Sequence, residues 1–158
     1  MQECLSRGVK LSKKGRYAVR ALFDIAFYNE GQPTQVKDIA ARQSIPPRFL
    51  EQIFQDLKRA GIVASKRGPQ GGYNLARATE HIGVGDVIRA LEGPITLAED
   101  GNGTDKGTSS RRVTDAVFRE LSGAIQRCFD EVTIADICHR AEDLGFSRPG
   151  SQRQVYVI

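Results

Sequence analysis

The chain has too little cysteine to be a disulfide scaffold, since Cys4, Cys128 and Cys138 are its only three in 158 residues. Disulfide-built domains are far denser in cysteine, and a reducing compartment would keep these thiols free. No CxxC pair and no Cys/His cluster with zinc spacing occurs, which excludes the common structural zinc modules. The two histidines, His81 and His139, lie far apart in the sequence and read as structural or exposed. No apolar run approaches the roughly 18–20 residues that span a bilayer, so a membrane partner is not expected. The first dozen residues lack the apolar stretch of a secretory signal, and the expected compartment is the cytoplasm. Walker A and GxGxxG spacings are also missing. No nucleophile is paired with a base and no carboxylate pair or metal triad assembles, so an enzyme is not expected.

What the chain does have is a lopsided charge. Between Lys10 and Glu80 thirteen Lys/Arg face six Asp/Glu, a surplus of seven positive charges. From His81 to Ile158 nine Lys/Arg face twelve Asp/Glu, a deficit of three. A basic module joined to a mildly acidic one suggests a polyanion-binding part and a part with another task.

Apolar spacing then divides the chain. Ser12 is a plausible N-cap, and Tyr17, Ala18, Ala21, Leu22, Ile25 and Ala26 recur at helical steps, predicting a first helix to about Asn29. Glu30 to Pro33 breaks it. Thr34 is expected to cap a short second helix carrying Val36, Ile39 and Ala40, and a turn over Gln43–Pro46 follows. Pro47 suits the first position of a third helix, whose stripe is Phe49, Leu50, Ile53, Phe54 and Leu57 and whose C′ residue is Gly61. A strand over Ile62–Ser65, a glycine-rich turn over Arg67–Gly72 and a return strand over Tyr73–Leu75 complete the outline of a winged helix-turn-helix.

A fourth helix is predicted over Val84–Leu91, then a loop over 93–110 whose Gly, Ser, Thr and Asp content predicts mobility. The next helix runs from Arg111 to Asp130. Its Val113, Val117, Leu121, Ala124 and Cys128 recur at steps of four and three, the spacing of a seam that a partner helix would cover. Thr133 and Asp136 cap a last helix that Gly145 stops. The fold class is therefore mainly α with a small β-hairpin wing and a long dimerisation helix. The expected division is an N-terminal extension (1–9), a DNA-binding domain (10–80), a connecting helix and loop (81–110), a dimerisation part (111–146) and a tail (147–158).

The third helix turns Arg48, Glu51, Gln52, Gln55 and Lys58 to its polar sides, groups that can reach base edges and phosphates from the major groove. The hairpin presents Lys66, Arg67, Gly68, Gln70 and Gly71, cations beside glycines that allow close backbone approach. Such a wing suits phosphates or the minor groove. It joins strand to strand rather than strand to helix, which argues against a nucleotide cradle. Lys13 and Arg16, at the start of the first helix, complete the candidate contact set for double-stranded DNA.

Three ordered stretches give a family resemblance: Leu11 to Leu22, Phe49 to Phe54, and Ser65 to Tyr73. They resemble the successive signatures of Rrf2-type transcription regulators, and the likeness resumes at Val113–Leu121 and Val132–Ile137. The resemblance implies a homodimer paired through the helix at 111–130, with the third helix in the major groove of a pseudo-palindromic operator and the wing in the minor groove. It implies that Glu51 reads bases and that Arg67 enters the minor groove. Arg48 stands where a relative contacts DNA through a serine, which implies a different base preference. The expected activity is that of a repressor.

The departure from the family is chemical. Members holding a [2Fe–2S] cluster carry three cysteines in the loop before the long helix, and some a histidine just inside it. Here that loop has none, and alignment places Arg112 and Asp115 at the last cysteine and the histidine. Clusters of this kind rest chiefly on thiolates, so no cofactor and no metal ligand is expected. Cys128 and Cys138, among apolar neighbours, read as small core residues. The signal is left to a small molecule near 93–110, a regulatory partner protein or a thiol, with Cys4 and Cys128 the candidates for a switch.

Overall fold

Ser12 starts the first helix as its hydroxyl allows, accepting from the Gly15 amide at 3.1 Å. In the computed structural model, which describes residues 11–97 and 109–150, that helix is α1 (Lys13–Asn29). Ala18, Ala21, Leu22, Ile25 and Ala26 form its inward stripe as expected, and α1 is the central strut. Against it pack α2 (Val36–Gln43), α3 (Pro47–Arg59), α4 (Val84–Glu92) and α6 (Ile134–Asp143).

Between α3 and α4 the chain forms a hairpin of β1 (Val63–Lys66) and β2 (Gly72–Leu75), antiparallel, with Val63 opposite Leu75 and Lys66 opposite Gly72. A single 3₁₀ turn, Thr79–His81, leads into α4. The long α5 (Ser109–Asp130) precedes α6, which begins with Thr133 and Asp136 capping each other reciprocally. One core joins residues from α1, α2, α3, β1, α4 and α6, with Leu22, Phe27, Leu50, Phe54 and Ile134 fully buried. This is a winged helix-turn-helix with an added long helix, mainly helical as the spacing predicts.

Thr34 does not cap α2. The cap position belongs to Gln35, which makes no side-chain capping bond. Thr34 instead pairs through its backbone with Tyr73 of β2, in both directions at 2.8 and 2.9 Å. Its hydroxyl donates to the Gln32 carbonyl and accepts from Asn29. Cys138 is buried in the core, where burial pushes its thiol up, as its apolar neighbours suggested. Cys128 is exposed, against expectation. It falls in line with Leu121 and Ala124 rather than with Ile125 and Phe129, the residues α5 turns toward α4. The bulk of the loop at 93–110 (98–108) lies outside the described residues, as do Cys4 and the tail from 151.

Candidate nucleic-acid interface

The sequence of α3 sorts itself by helical period. Leu50, Ile53, Phe54 and Leu57 are buried, so Arg48, Glu51, Gln52, Gln55 and Lys58 are left in solvent along the opposite side. Pro47 supplies the fixed φ of the first turn, and Gly61, at φ 69°, ends the helix. The terminal carbonyls of Ala60 and Gly61 accept from the Arg77 guanidinium at 3.1 Å each. Helix C-termini favour such a cation. A residue beyond the hairpin thus fixes the far end of the candidate recognition helix.

The wing is held to this helix at two points and to the segment before α2 on its other side. The rings of Phe54 and Tyr73 stack, centroids 4.5 Å apart and planes 10° apart. Lys58 Nζ donates to Ser65 Oγ at 2.7 Å, joining the last turn of α3 to β1. On the other side the Thr34 backbone pairs with Tyr73, and Gln35 Nε2 donates to the Pro69 carbonyl at 3.3 Å. Gly72 permits that approach: its φ is 146°, and a Cβ there would run into the Thr34 carbonyl. The tip closes with the Gly71 amide donating to the Gly68 carbonyl at 2.9 Å. Lys66, Arg67 and Gln70 remain exposed while Gly71 is buried in the turn.

The start of α1 lies beside α3. Tyr17 meets Phe49 edge-on at 5.6 Å, and Lys14 pairs with Asp56 at 2.6 Å. The Lys14 ammonium holds the Asp56 carboxyl below its ordinary range, and Arg59 adds a second bond at 2.7 Å. Of the α3 carboxylates, Asp56 is therefore neutralised by its neighbours. Glu51 has no ion pair among the described residues. Lys13 is exposed at the first position of α1. Arg16 is turned elsewhere, to a cavity walled by α4, α5 and the Gly93–Leu97 segment.

Helix α5 has two different sides. One is pinned to the 93–97 segment: Ser122 Oγ accepts from the Leu97 amide at 2.7 Å, and Gln126 donates to the Ile95 carbonyl at 2.8 Å. Arg89 of α4 reaches Asp130 at 2.6 Å. The other side leaves Val113 64%, Val117 49%, Phe118 47% and Leu121 46% exposed. Ala124 is half-buried and Cys128 exposed in the same line. Phe118 was not in the expected seam, although it is adjacent to Val117 and three residues before Leu121. Arg112, Asp115, Arg119 and Glu120 flank the row with both signs of charge.

The donor set for a [2Fe–2S] cluster is missing where the fold would offer it. Residues 93–112 contain no cysteine or histidine. At the start of α5, Arg111 lies 3.9 Å from Asp115, placing a guanidinium beside that carboxylate. Among the described residues no three His, Cys, Asp or Glu side chains converge in a metal-binding group. The residues present do not fit such a cluster.

Sequence and structure comparisons bear on the fold and the family. Residues 11–140 match the family model Rrf2, described as an iron-dependent transcriptional regulator. The HTH-type transcriptional regulator IscR of Vibrio atlanticus is 37% identical over 139 residues, covering 88% of this chain and 80% of its own. That of Erwinia tasmaniensis is 38% identical over 138 residues, covering 86% and 82%. Among solved structures, T. potens IscR superposes with a TM-score of 0.73 at 39% identity, covering 89% of this chain and 94% of that one. CymR, the global cysteine regulator of B. subtilis, gives 0.68 at 33% identity, covering 84% and 98%. The chain belongs to the Rrf2 family of transcriptional regulators and is not an enzyme.

Proposed function

We propose that this regulator binds double-stranded DNA as a homodimer and represses from a pseudo-palindromic operator without an iron–sulfur cluster. The observation that carries the proposal is the exposed polar face of α3 beside a cationic wing that is fixed to the buried face of α3 by Phe54–Tyr73 and to the segment before α2 by Thr34–Tyr73. In this assignment Arg48, Glu51, Gln52 and Gln55 face the bases, while Lys58, Lys66, Arg67, Gly68, Gln70 and Lys13 meet backbone or minor groove. Gly71, buried in the turn with its amide committed to the Gly68 carbonyl, shapes the tip rather than touching DNA. The two functions divide between residues 10–80, which bind DNA, and 111–146, which pair. A two-fold dimer presents two such faces to half-sites spaced by helical turns. The compartment is the cytoplasm, where the DNA lies.

The donor set supports the cluster-free reading: three cysteines in the chain, none between α4 and α5, and a guanidinium at the expected ligand position. Regulation then rests on an effector, a partner protein or a thiol. The exposure of Cys128 on the pairing side of α5 favours a second reading, a thiol switch at the dimer seam.

The test is a footprint with anaerobically purified protein on the promoter of its own operon. Arg67→Ala should weaken operator binding by roughly 1–3 kcal/mol. Glu51→Ala should reduce discrimination more than non-specific affinity, because a carboxylate repels phosphate yet accepts from a cytosine amine. Wild-type behaviour in both variants would refute the contact assignment. A brown protein with stoichiometric iron and sulfide would refute the cluster-free claim. Loss of DNA binding after mild peroxide, abolished by Cys128→Ser, would establish the thiol reading.

A further inference from the structure

The turn of Arg16 away from solvent-facing α3 opens a different site. A cavity of about 470 Å³ lies where the start of α1, the end of α4, the 93–97 segment and α5 meet. Its size is that of a small-ligand pocket. Ile88, Ile95, Ile125 and Phe129 make most of its wall apolar, and two charged side chains, Arg16 and Glu92, complete it. Glu92 is fixed in place: its Oε1 accepts from Ser12 Oγ, and it lies so near the first turn of α1 that a Cβ on Gly15 would come within 2.7 Å of it. Its second oxygen has no partner among the described residues. The Arg16 guanidinium has none there either.

We propose that this cavity is an effector site for an apolar α-amino acid. The charges decide the class. A guanidinium offers parallel N–H donors that match a carboxylate, and a neighbouring carboxylate accepts from an ammonium. The two side chains together are neutral, so a zwitterion satisfies both, whereas a simple anion would leave Glu92 unpaired and repelled. The apolar wall takes the side chain. Occupation bears on function because the walls belong to α1, which carries α3 through Tyr17–Phe49 and Lys14–Asp56, and to α5, the pairing helix. That consequence rests on the dimeric DNA-binding reading, while binding of the ligand itself does not.

Titration calorimetry of the full chain without DNA, with L-phenylalanine and L-leucine as probes, tests the site directly. Binding is expected, with 3-phenylpropanoate and 2-phenylethylamine weaker by roughly tenfold or more, since each lacks one charged partner. Glu92→Gln and Arg16→Gln should each lower amino-acid affinity by a similar factor, with circular dichroism unchanged. Ile125→Trp, which fills the cavity, should abolish binding. If neither amino acid binds the wild-type protein at millimolar concentration, the proposal is overturned. It is equally overturned if phenylpropanoate binds as tightly as phenylalanine and Glu92→Gln changes nothing. A protein that binds phenylalanine but leaves no footprint would refute the operator reading alone, and a footprint with no amino-acid binding would refute this site alone.

Discussion

Phe54 and Tyr73 stack face to face, and this contact makes the helix and the wing one rigid surface. Phe54 is fully buried on α3 and Tyr73 half-buried on β2, with rings 4.5 Å apart. An aromatic pair of this kind contributes beyond the area it covers, by about 0.5–1.5 kcal/mol. Tyr73→Ala is expected to lower stability by roughly 2–3 kcal/mol, since both the packing and the pair are lost. Operator affinity should fall further than stability alone explains, because the wing loses its register on α3. Tyr73→Phe should behave as wild type. Denaturant titration beside an anisotropy assay measures the two effects, and equal operator affinity in folded Tyr73→Ala would show that the wing needs no such anchor.

A second anchor sets the angle between α1 and α2. Asp24 is fully buried and accepts from Arg42 through Nε at 3.0 and 3.1 Å and through Nη2 at 2.6 Å, with Gln43 adding a bond at 2.9 Å. The pair raises the Arg42 pKa above its ordinary value. Arg42→Ala would leave a buried carboxylate with one amide donor, and is expected to cost roughly 3 kcal/mol. Asp24→Asn keeps one acceptor oxygen but sets an NH2 group against a donor of Arg42 or Gln43. Because the partly exposed Arg42 can turn to solvent, it should cost about 1–2 kcal/mol. The asymmetry is the prediction. Comparable losses in the two variants, measured by urea unfolding, would mean that the carboxylate is not held through Arg42.

The bond between Lys14 and Asp56 gives the protein an acid-sensitive link between α1 and α3. Asp56 is depressed in the folded state, chiefly by its hydrogen bond with Lys14. In the acid range the unfolded chain therefore binds more protons at this site, so its stabilising effect is complete above the ordinary carboxylate pKa of about 3.9. It is lost as pH falls through the lower folded value. Asp136, depressed by the Thr133 amide, acts in the same direction at the start of α6. Melting of wild type and Asp56→Asn should differ at neutral pH and converge as pH drops below about 4. A constant gap across that window would remove Asp56 from the acid response.

How much of this was legible depended on the distance between partners in the chain. The α1 start at Ser12, the buried stripe of α3, Pro47, Gly61 and the Thr133–Asp136 cap are all local, and the spacing of residue types gave each of them. Thr34 was misplaced because its partner, Tyr73, lies across the hairpin and outweighs the local capping signal. Cys128 was misplaced because its exposure depends on which side of α5 the 93–97 segment covers. Lys14–Asp56, Gln35–Pro69 and Arg77 at the end of α3 escaped for the same reason: each joins elements whose mutual placement no periodicity encodes. The exposed polar side of α3 was readable because the apolar stripe fixes it.

The exposed row on α5 carries the last prediction. A chain that leaves Val113, Val117, Phe118 and Leu121 about half exposed or more on one helix face presents an apolar strip that soluble monomers rarely tolerate. Its flanks, Arg112 and Arg119 against Asp115 and Glu120, carry both signs, so a second copy can meet each cation with a carboxylate under two-fold symmetry. Leu121→Glu places a charge in the middle of that strip and should give monomers, because burying it unpaired in a dimer costs several kcal/mol. Each monomer should stay folded, since Leu121 is not part of the intramolecular core. Operator binding should collapse, as one half-site alone supplies only part of the contact energy. Phe118→Glu should act alike, whereas Arg127→Glu, exposed nearer the end of the helix, should leave the dimer intact. Sedimentation equilibrium of the three variants decides the matter: a stable dimer for Leu121→Glu and Phe118→Glu would mean that this face pairs with nothing.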